Sequence, residues 1–177
     1  MYLVSELDNT VRVFTLDGVS NLIDDTPATG TPKLEITLQQ MISTLGLGVN
    51  RTASDNHHLA AEIALSNDGK FAYVSNRDTT TYATDTLAIF SVNPDPGIGH
   101  AHLTYLGQNA TYGKIPRHFS LSPDPQAQYA AVANEISQSL LILERGQSGF
   151  MGAVRGNLSL GSLDVTQNLG PTAVIWG

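Results

Sequence analysis

The sequence predicts an all-β chain folded as part of a β-propeller, and three features carry that prediction: a repeated hairpin pattern, the turn chemistry around it, and a composition poor in charge. The repeat is the most informative. Its first copy is Tyr2-Leu3-Val4-Ser5-Glu6 followed by Asn9-Thr10-Val11-Arg12-Val13-Phe14. The second is Tyr73-Val74-Ser75-Asn76-Arg77 followed by Asp85-Thr86-Leu87-Ala88-Ile89-Phe90, and the third Ala131-Val132-Ala133-Asn134-Glu135 followed by Gln138-Ser139-Leu140-Leu141-Ile142-Leu143. Each copy is an alternating apolar strand, a polar turn and a second alternating strand, the period-2 signature of an antiparallel hairpin.

These hairpins supply the middle strands of blades. Two of them are preceded by an innermost strand and a turn: Ala61-Glu62-Ile63-Ala64-Leu65-Ser66 with Asn67-Asp68-Gly69, and Arg117-His118-Phe119-Ser120-Leu121-Ser122 with Pro123-Asp124-Pro125. Asp-Gly tolerates positive φ, and proline presets a turn. The copies recur at Ser5, Asn76 and Asn134, wider than the roughly 40–50 residues of a four-stranded blade, so the excess falls in loops.

Residues 17–58, with Pro27 and Pro32, are expected to hold an outer strand plus an insertion, including a short helix over residues 34–45. Residues 146–170 are glycine-rich, with Leu158-Ser159-Leu160 as a weak strand. Pro171-Thr172-Ala173-Val174-Ile175-Trp176 lines up with Pro116-Arg117-His118-Phe119-Ser120-Leu121, one more innermost strand. About three to four blades alone would leave apolar faces exposed. Residues 1–177 are therefore expected to be the C-terminal portion of a longer propeller, with Met1 internal to it. An autonomous β-sandwich would satisfy the strand spacing, but the threefold repeat speaks against it.

Hydrophobic residues make up 41% of the chain, charged residues 14%, and there are 16 glycines, a balance suited to short strands and tight turns. Nine Lys and Arg against sixteen Asp and Glu leave a net charge of −7 with no basic run, which speaks against nucleic acid as a partner. Two or three converging arginines can still bind an anion, because the local field decides. The absence of cysteine excludes disulfides, thiolate zinc sites and cysteine nucleophiles. The N-terminal residues lack a basic n-region and no apolar run reaches membrane-spanning length, so a cytoplasmic protein without a membrane partner is expected. Sequons at Asn50, Asn109 and Asn157 mark polar loops.

The run Ala61-Glu62-Ile63-Ala64-Leu65-Ser66-Asn67-Asp68-Gly69-Lys70-Phe71-Ala72-Tyr73-Val74-Ser75-Asn76-Arg77 closely resembles the lactonase-family pattern A-E-I-x-x-S-x-D-G-[KR]-x-x-Y-[VA]-S-N-R. Pro116-Arg117-His118-Phe119-Ser120-Leu121-Ser122-Pro123-Asp124 followed by Val132-Ala133-Asn134 is a second match. Tyr2-Leu3-Val4-Ser5-Glu6-Leu7 is a third, with Ser5 where the family has Asn. That family comprises cytosolic 6-phosphogluconolactonases and fungal carboxymuconate cyclases. The resemblance implies a seven-bladed propeller with a polar cleft at the axis. It also implies catalytic roles for Glu62 and Arg117, substrate-binding roles for His118, Arg77 and Glu6, and no metal or organic cofactor.

Read from the residues alone, Glu62 and His118 occupy equivalent places at the start of innermost strands, where radial geometry gathers side chains near the axis. Arg117 and Arg77 can hold a carboxylate or phosphate as bidentate forks, and Glu62 can move a proton. Each has an alternative structural role. Glu62 can brace blades by an ion pair, Arg77 can be solvated, and His118 can hydrogen-bond a neighbouring blade's backbone. Asn76 and Asn134 are expected to satisfy backbone groups at their turns. His57-His58 with Asp55 and Glu62, and His100 with His102, are weak metal patterns: adjacent histidines on a strand diverge and no third ligand accompanies the second pair. No G-x-S-x-G supports a serine triad.

The functions that follow are hydrolysis of a sugar lactone or lactonising cyclisation of a carboxymuconate, with a small anionic lactone or dicarboxylate as ligand. The competing function is a non-catalytic propeller binding a protein or small ligand. Self-association through exposed blade faces is expected of these residues by themselves.

Overall fold

The computed structural model describes residues 1–17, 34–46, 57–80, 84–97, 100–161 and 170–177. They form eleven strands and no helix: β1 (Tyr2–Ser5), β2 (Thr10–Asp17), β3 (Glu35–Ser43), β4 (His58–Leu65), β5 (Phe71–Asp78), β6 (Thr86–Val92), β7 (Leu103–Ala110), β8 (Pro116–Leu121), β9 (Tyr129–Asn134), β10 (Ser139–Arg145) and β11 (Met151–Ser159). Three antiparallel sheets result, β1-β2-β3, β4-β5-β6-β7 and β8-β9-β10-β11. These are propeller blades. The first consists of middle and outer strands, and the next two carry innermost strands β4 and β8.

The middle blade is covered on both faces. Ala72 and Val74 of β5 join Val11, Val13, Ala60, Ala88, Phe90 and Leu103 in one core. Tyr73, between them, points the other way to join Leu87, Ile89, Phe119, Val132, Leu141 and Leu143. Burying each such side chain stabilises the stack by about 1.5–3 kcal/mol. Phe90 and Tyr105 add an edge-to-face contact, 5.6 Å between ring centres.

Polar side chains then fasten blade to blade. Near the axis, Asn9 donates from Nδ2 to His58 O and accepts from Ala60 N, both at 2.6 Å. Asn76 donates to Thr44 O at 2.9 Å and Asn134 to Thr111 O at 3.1 Å, so both asparagines satisfy backbone groups of the preceding blade. At the rim, Gln40 holds both backbone groups of Leu103, and Asn109 both of Met151. The Asn109 sequon is therefore a structural clasp. Asn157 lies exposed on β11, and Asn50 falls outside the described residues.

The turns after the innermost strands share a device that spacing alone did not reveal. Ser66 Oγ donates to Asp68 and accepts the Phe71 amide, and Ser122 Oγ donates to Asp124 and accepts the Tyr129 amide. The Ser-x-Asp pair closes both turns whether glycine or proline follows.

Three expectations need correction. Residues 34–45 are not helical: β3 pairs with β2 from Thr10↔Ser43 to Asp17↔Glu35, and that ladder overrides local helical character. The outer strand of the third blade is longer than Leu158-Ser159-Leu160, beginning at Met151. Gly152 and Gly156 sit inside it near two register shifts, where an edge strand tolerates glycine. Residues 171–176 are not a strand. They run beside β8 through side chains, with the Val174 amide donating to His118 Nδ1 at 3.3 Å and Trp176 Nε1 to Ser120 O at 3.2 Å. Of the expected 17–58 insertion, residues 18–33 and 47–56 lie outside the described residues.

Candidate functional site

The two innermost strands carry the same irregularity at the same level. The ladder of β4 on β5 skips between Ala60 and Ile63, and that of β8 on β9 between Pro116 and His118. Bulges of this kind re-aim side chains. Ile63 pairs with Val74 and Phe119 with Val132, so Glu62 and His118 are structural equivalents in neighbouring blades. They meet: Glu62 Oε2 lies 3.6 Å from His118 Nε2. Glu62 Oε1 accepts the Ile63 amide at 3.1 Å, and the Glu62 amide donates to Ser75 Oγ at 3.1 Å. One carboxylate oxygen is thus held by its own strand while the other faces the histidine.

A second row of groups comes from the C-terminal ends of β1, β5 and β9, where Glu6, Arg77 and Glu135 occupy equivalent positions. Arg77 pairs with Glu6 at 3.0 Å, and Arg117 with Glu135 at 3.6 Å. The two pairs are inverted in burial. The Arg77 side chain is 13% exposed against 53% for Glu6, whereas Glu135 is 6% exposed against 54% for Arg117. Arg77 is further held by the carbonyls of Leu59 and Ala60.

Arg77 and Arg117 line two adjoining clefts. One, of about 400 Å³, is bounded by Val4, Glu6, Ala60 and Ala61. The other, of about 420 Å³, is bounded by Leu59, Asp78, Lys114, Ile115, Glu135 and Ile136. Glu62 and His118 line neither of these two clefts. The expected residues therefore fall into a carboxylate–imidazole pair between β4 and β8, and an arginine pair that walls both clefts.

Lys114, Asp85 and Glu135 were missing from the sequence-based set. Lys114 Nζ lies 3.7 Å from Asp85 and donates to Asp78 O at 2.9 Å. Burial pushes the Asp85 carboxyl above the usual range, against the opposing pull of the Ile115 amide, Lys114 and the Asp78 amide. Repeat alignment could have found two of these, since Glu135 matches Arg77 and Asp85 matches Asn9. Lys114 lies in a loop, where the repeat is silent.

Of the weak metal patterns, His58 faces Asp78 at 3.6 Å and Asp55 lies outside the described residues. His100 and His102 border an open cleft at the rim with Asp95. No group of three or more His, Asp or Glu gathers as a metal site among the described residues. No helix among them is long and apolar enough to cross a membrane.

Comparison with known proteins agrees with this fold. A 6-phosphogluconolactonase of Formosa agariphila is 40% identical over 86 residues, which is 49% of this chain and 22% of that protein. The structure of a periplasmic gluconolactonase of Pseudomonas aeruginosa superposes with a TM-score of 0.64 at 27% identity, covering 91% of this chain and 37% of that one. A Lactobacillus plantarum protein superposes with a TM-score of 0.63 at 27% identity, over 88% and 37% of the two chains. The chain thus spans well under half the length of these relatives. Residues 1–164 match the family described as lactonase, 7-bladed beta-propeller, and the chain belongs to that family.

Proposed function

We propose that this chain contributes the proton-moving and anion-holding side chains of a site that hydrolyses a sugar lactone carrying an anionic group, of the 6-phosphogluconolactone kind. The observation that carries this is the Glu62–His118 pair, 3.6 Å apart between adjacent innermost strands, on the blades that supply Arg77 and Arg117. Support also comes from the Formosa agariphila and Pseudomonas aeruginosa relatives, whose names refer to lactones.

In this scheme Glu62 takes a proton from a water as that water adds to the lactone carbonyl. The tetrahedral intermediate then collapses, the acyl C–O bond to the ring oxygen breaks, and the proton passes from Glu62 to the departing alkoxide. The product is a hydroxy acid, which releases the second proton of the water to solvent and leaves as a carboxylate. Arg117 and Arg77 hold the remote anionic group, and that binding positions the carbonyl for attack. Glu6, half exposed against Arg77, is the rim member of this subsite. Its ion pair costs little to rearrange, because exposed pairs are worth about 0–1 kcal/mol.

The test is to assay the protein in its native length on a phosphorylated sugar lactone, its unphosphorylated analogue and a carboxymuconate, following acid release or ring closure. Faster opening of the phosphorylated lactone is expected. Conversion of the muconate alone would replace hydrolysis by cyclisation. Turnover of none, with a stoichiometric bound partner, would leave a binding propeller.

A further inference from the structure

The imidazole of His118 is held on both sides. Its Nδ1 accepts the backbone amide of Val174 at 3.3 Å, and its Nε2 faces Glu62 at 3.6 Å. A backbone N–H can only donate. While that bond exists Nδ1 must present its lone pair, and the single ring proton of the neutral imidazole sits on Nε2, toward Glu62.

The segment that supplies Val174 is anchored at two further points. Trp176 Nε1 donates to Ser120 O at 3.2 Å. Gly170 packs so closely on the turn after β9 that an added Cβ would collide with the Glu135 carbonyl oxygen. Any side chain at that position would push the segment away. Glu135 is in turn the partner of Arg117, so the same turn that steadies the arginine also seats the segment behind the histidine.

We propose that residues 170–177 fix the tautomer of His118, making it a positioning residue, which turns its Nε2–H toward Glu62, rather than a base. This rests on the lactone-hydrolysis scheme above insofar as Glu62 is taken to be the base. The consequence is a division of labour. Glu62 accepts the Ile63 amide on one oxygen and turns the other toward His118 Nε2 at 3.6 Å, so an Nε2–H ring leaves the carboxylate as the proton acceptor of the pair. A non-strand segment that follows the third blade in sequence thereby controls a proton between two innermost strands.

The tautomer is read directly by long-range proton–nitrogen correlation on the native-length protein labelled with ¹⁵N-histidine, with His118→Gln assigning the resonance. A protonated Nε2 and an unprotonated Nδ1 are expected at a pH where the ring is neutral. Val174→Pro, which removes the donating amide, should convert the signal to a mixture of tautomers. Trp176→Phe, which removes only the bond to Ser120, should do so in smaller measure and serves if the proline variant does not fold. The kinetic arm is His118→Gln, whose side-chain amide can donate as Nε2–H does. It should retain kcat within about tenfold, whereas loss of a general base costs about 10²–10⁴. A ring protonated on Nδ1, or a tautomer indifferent to Val174→Pro and Trp176→Phe, overturns the proposal. An Nε2–H ring in a protein that opens no lactone upholds the tautomer lock and sinks only the reaction.

Discussion

Asn9 and Asp85 occupy the same place in consecutive blades, and each seizes, at 2.6 Å, an amide near the start of the next blade's innermost strand. The amides differ for a covalent reason. Asn9 takes that of Ala60, which pairs with Asn76. The equivalent of Ala60 is Pro116, which pairs with Asn134 and has no N–H. Asp85 therefore reaches back one residue to Ile115. That residue sits at φ 57, a costly conformation for a β-branched side chain, and its carbonyl accepts the amides of Arg117 and Glu135. The clasp thus holds a strained residue directly beside the arginine of the candidate site.

Removing the first clasp should destabilise the fold without touching the site. Asn9→Ala deletes two buried hydrogen bonds, and each orphaned group costs about 1–3 kcal/mol. The residue also stands at φ 47, which asparagine tolerates better than alanine. Asn9→Gly relieves the backbone but not the hydrogen bonds, so its denaturant midpoint should fall between wild type and Asn9→Ala. Equal midpoints for all three would show that the clasp contributes nothing.

Asp85 and Asp68 should shape the pH dependence of stability in opposite senses. Burial raises the Asp85 carboxyl, so the folded state prefers the proton there. Its stabilising contribution is complete below the unfolded pKa and is lost as pH rises through the folded one. Asp85→Asn, which cannot titrate and turns its NH2 against one of the two amides of Ile115 and Asp78, should melt lower than wild type and lose this part of the pH dependence. Asp68 is lowered: burial alone would raise it, but the Ser66 hydroxyl, the Lys70 amide and Arg145 at 3.1 Å prevail. Its contribution is present above the unfolded pKa and lost as pH falls through the folded one. Asp68→Asn should therefore melt lower at neutral pH, by about 1–3 kcal/mol for a lost charge-assisted bond, and converge with wild type in acid. Thermal melts across that range decide both.

Repeat and turn signals made the blades legible because each blade restates one pattern of middle strands, and even the equivalence of Glu62 and His118 could be read from it. The outer strands were another matter. Glu35–Ser43 and Met151–Ser159 are largely exposed edge strands specified by the ladder beside them, so their own residues carry little periodicity. The site was legible in its members but not in its pairings. Arg77 and Glu6 are brought together across blades, Arg117 and Glu135 across neighbouring strands of one blade, and Lys114 and Asp85 between a loop and the strand start it passes, and sequence separation hides such partners.

Substitution within the candidate site should separate chemistry from binding. In the native-length protein, Glu62→Gln should lower kcat by about 10²–10⁴ with KM little changed, whereas Arg117→Ala should act chiefly on KM for the anionic lactone. Both side chains are partly exposed, so melting temperatures should move little. Early melting with normal turnover per folded molecule would make the pair structural.

The 177-residue chain by itself should associate and turn over no lactone. Its first blade presents Leu3, Ile36, Leu38 and Met41, each between 48% and 59% exposed, on the side away from the core it shares with β4–β7. The third blade likewise exposes Leu158 beside the half-buried Leu140. Among the described residues strand β1 pairs only with β2, so its other edge is a template for a passing strand. A net charge of −7 opposes association, but repulsion between like surfaces is screened within about 10 Å at ordinary salt, whereas apolar burial at about 25 cal/mol per Å² is not. The chain should therefore elute well above 18.9 kDa in size-exclusion chromatography. Leu38→Lys combined with Met41→Lys should shift it toward the monomer, because both charges fall on the exposed face of β3 and neither touches the shared core. Lactone opening should be undetectable in either form, since groups on one side of a cleft cannot position a substrate that needs contacts from the other. A stable monomer of the unsubstituted chain that hydrolyses lactone would show that these three blades fold and work as a unit.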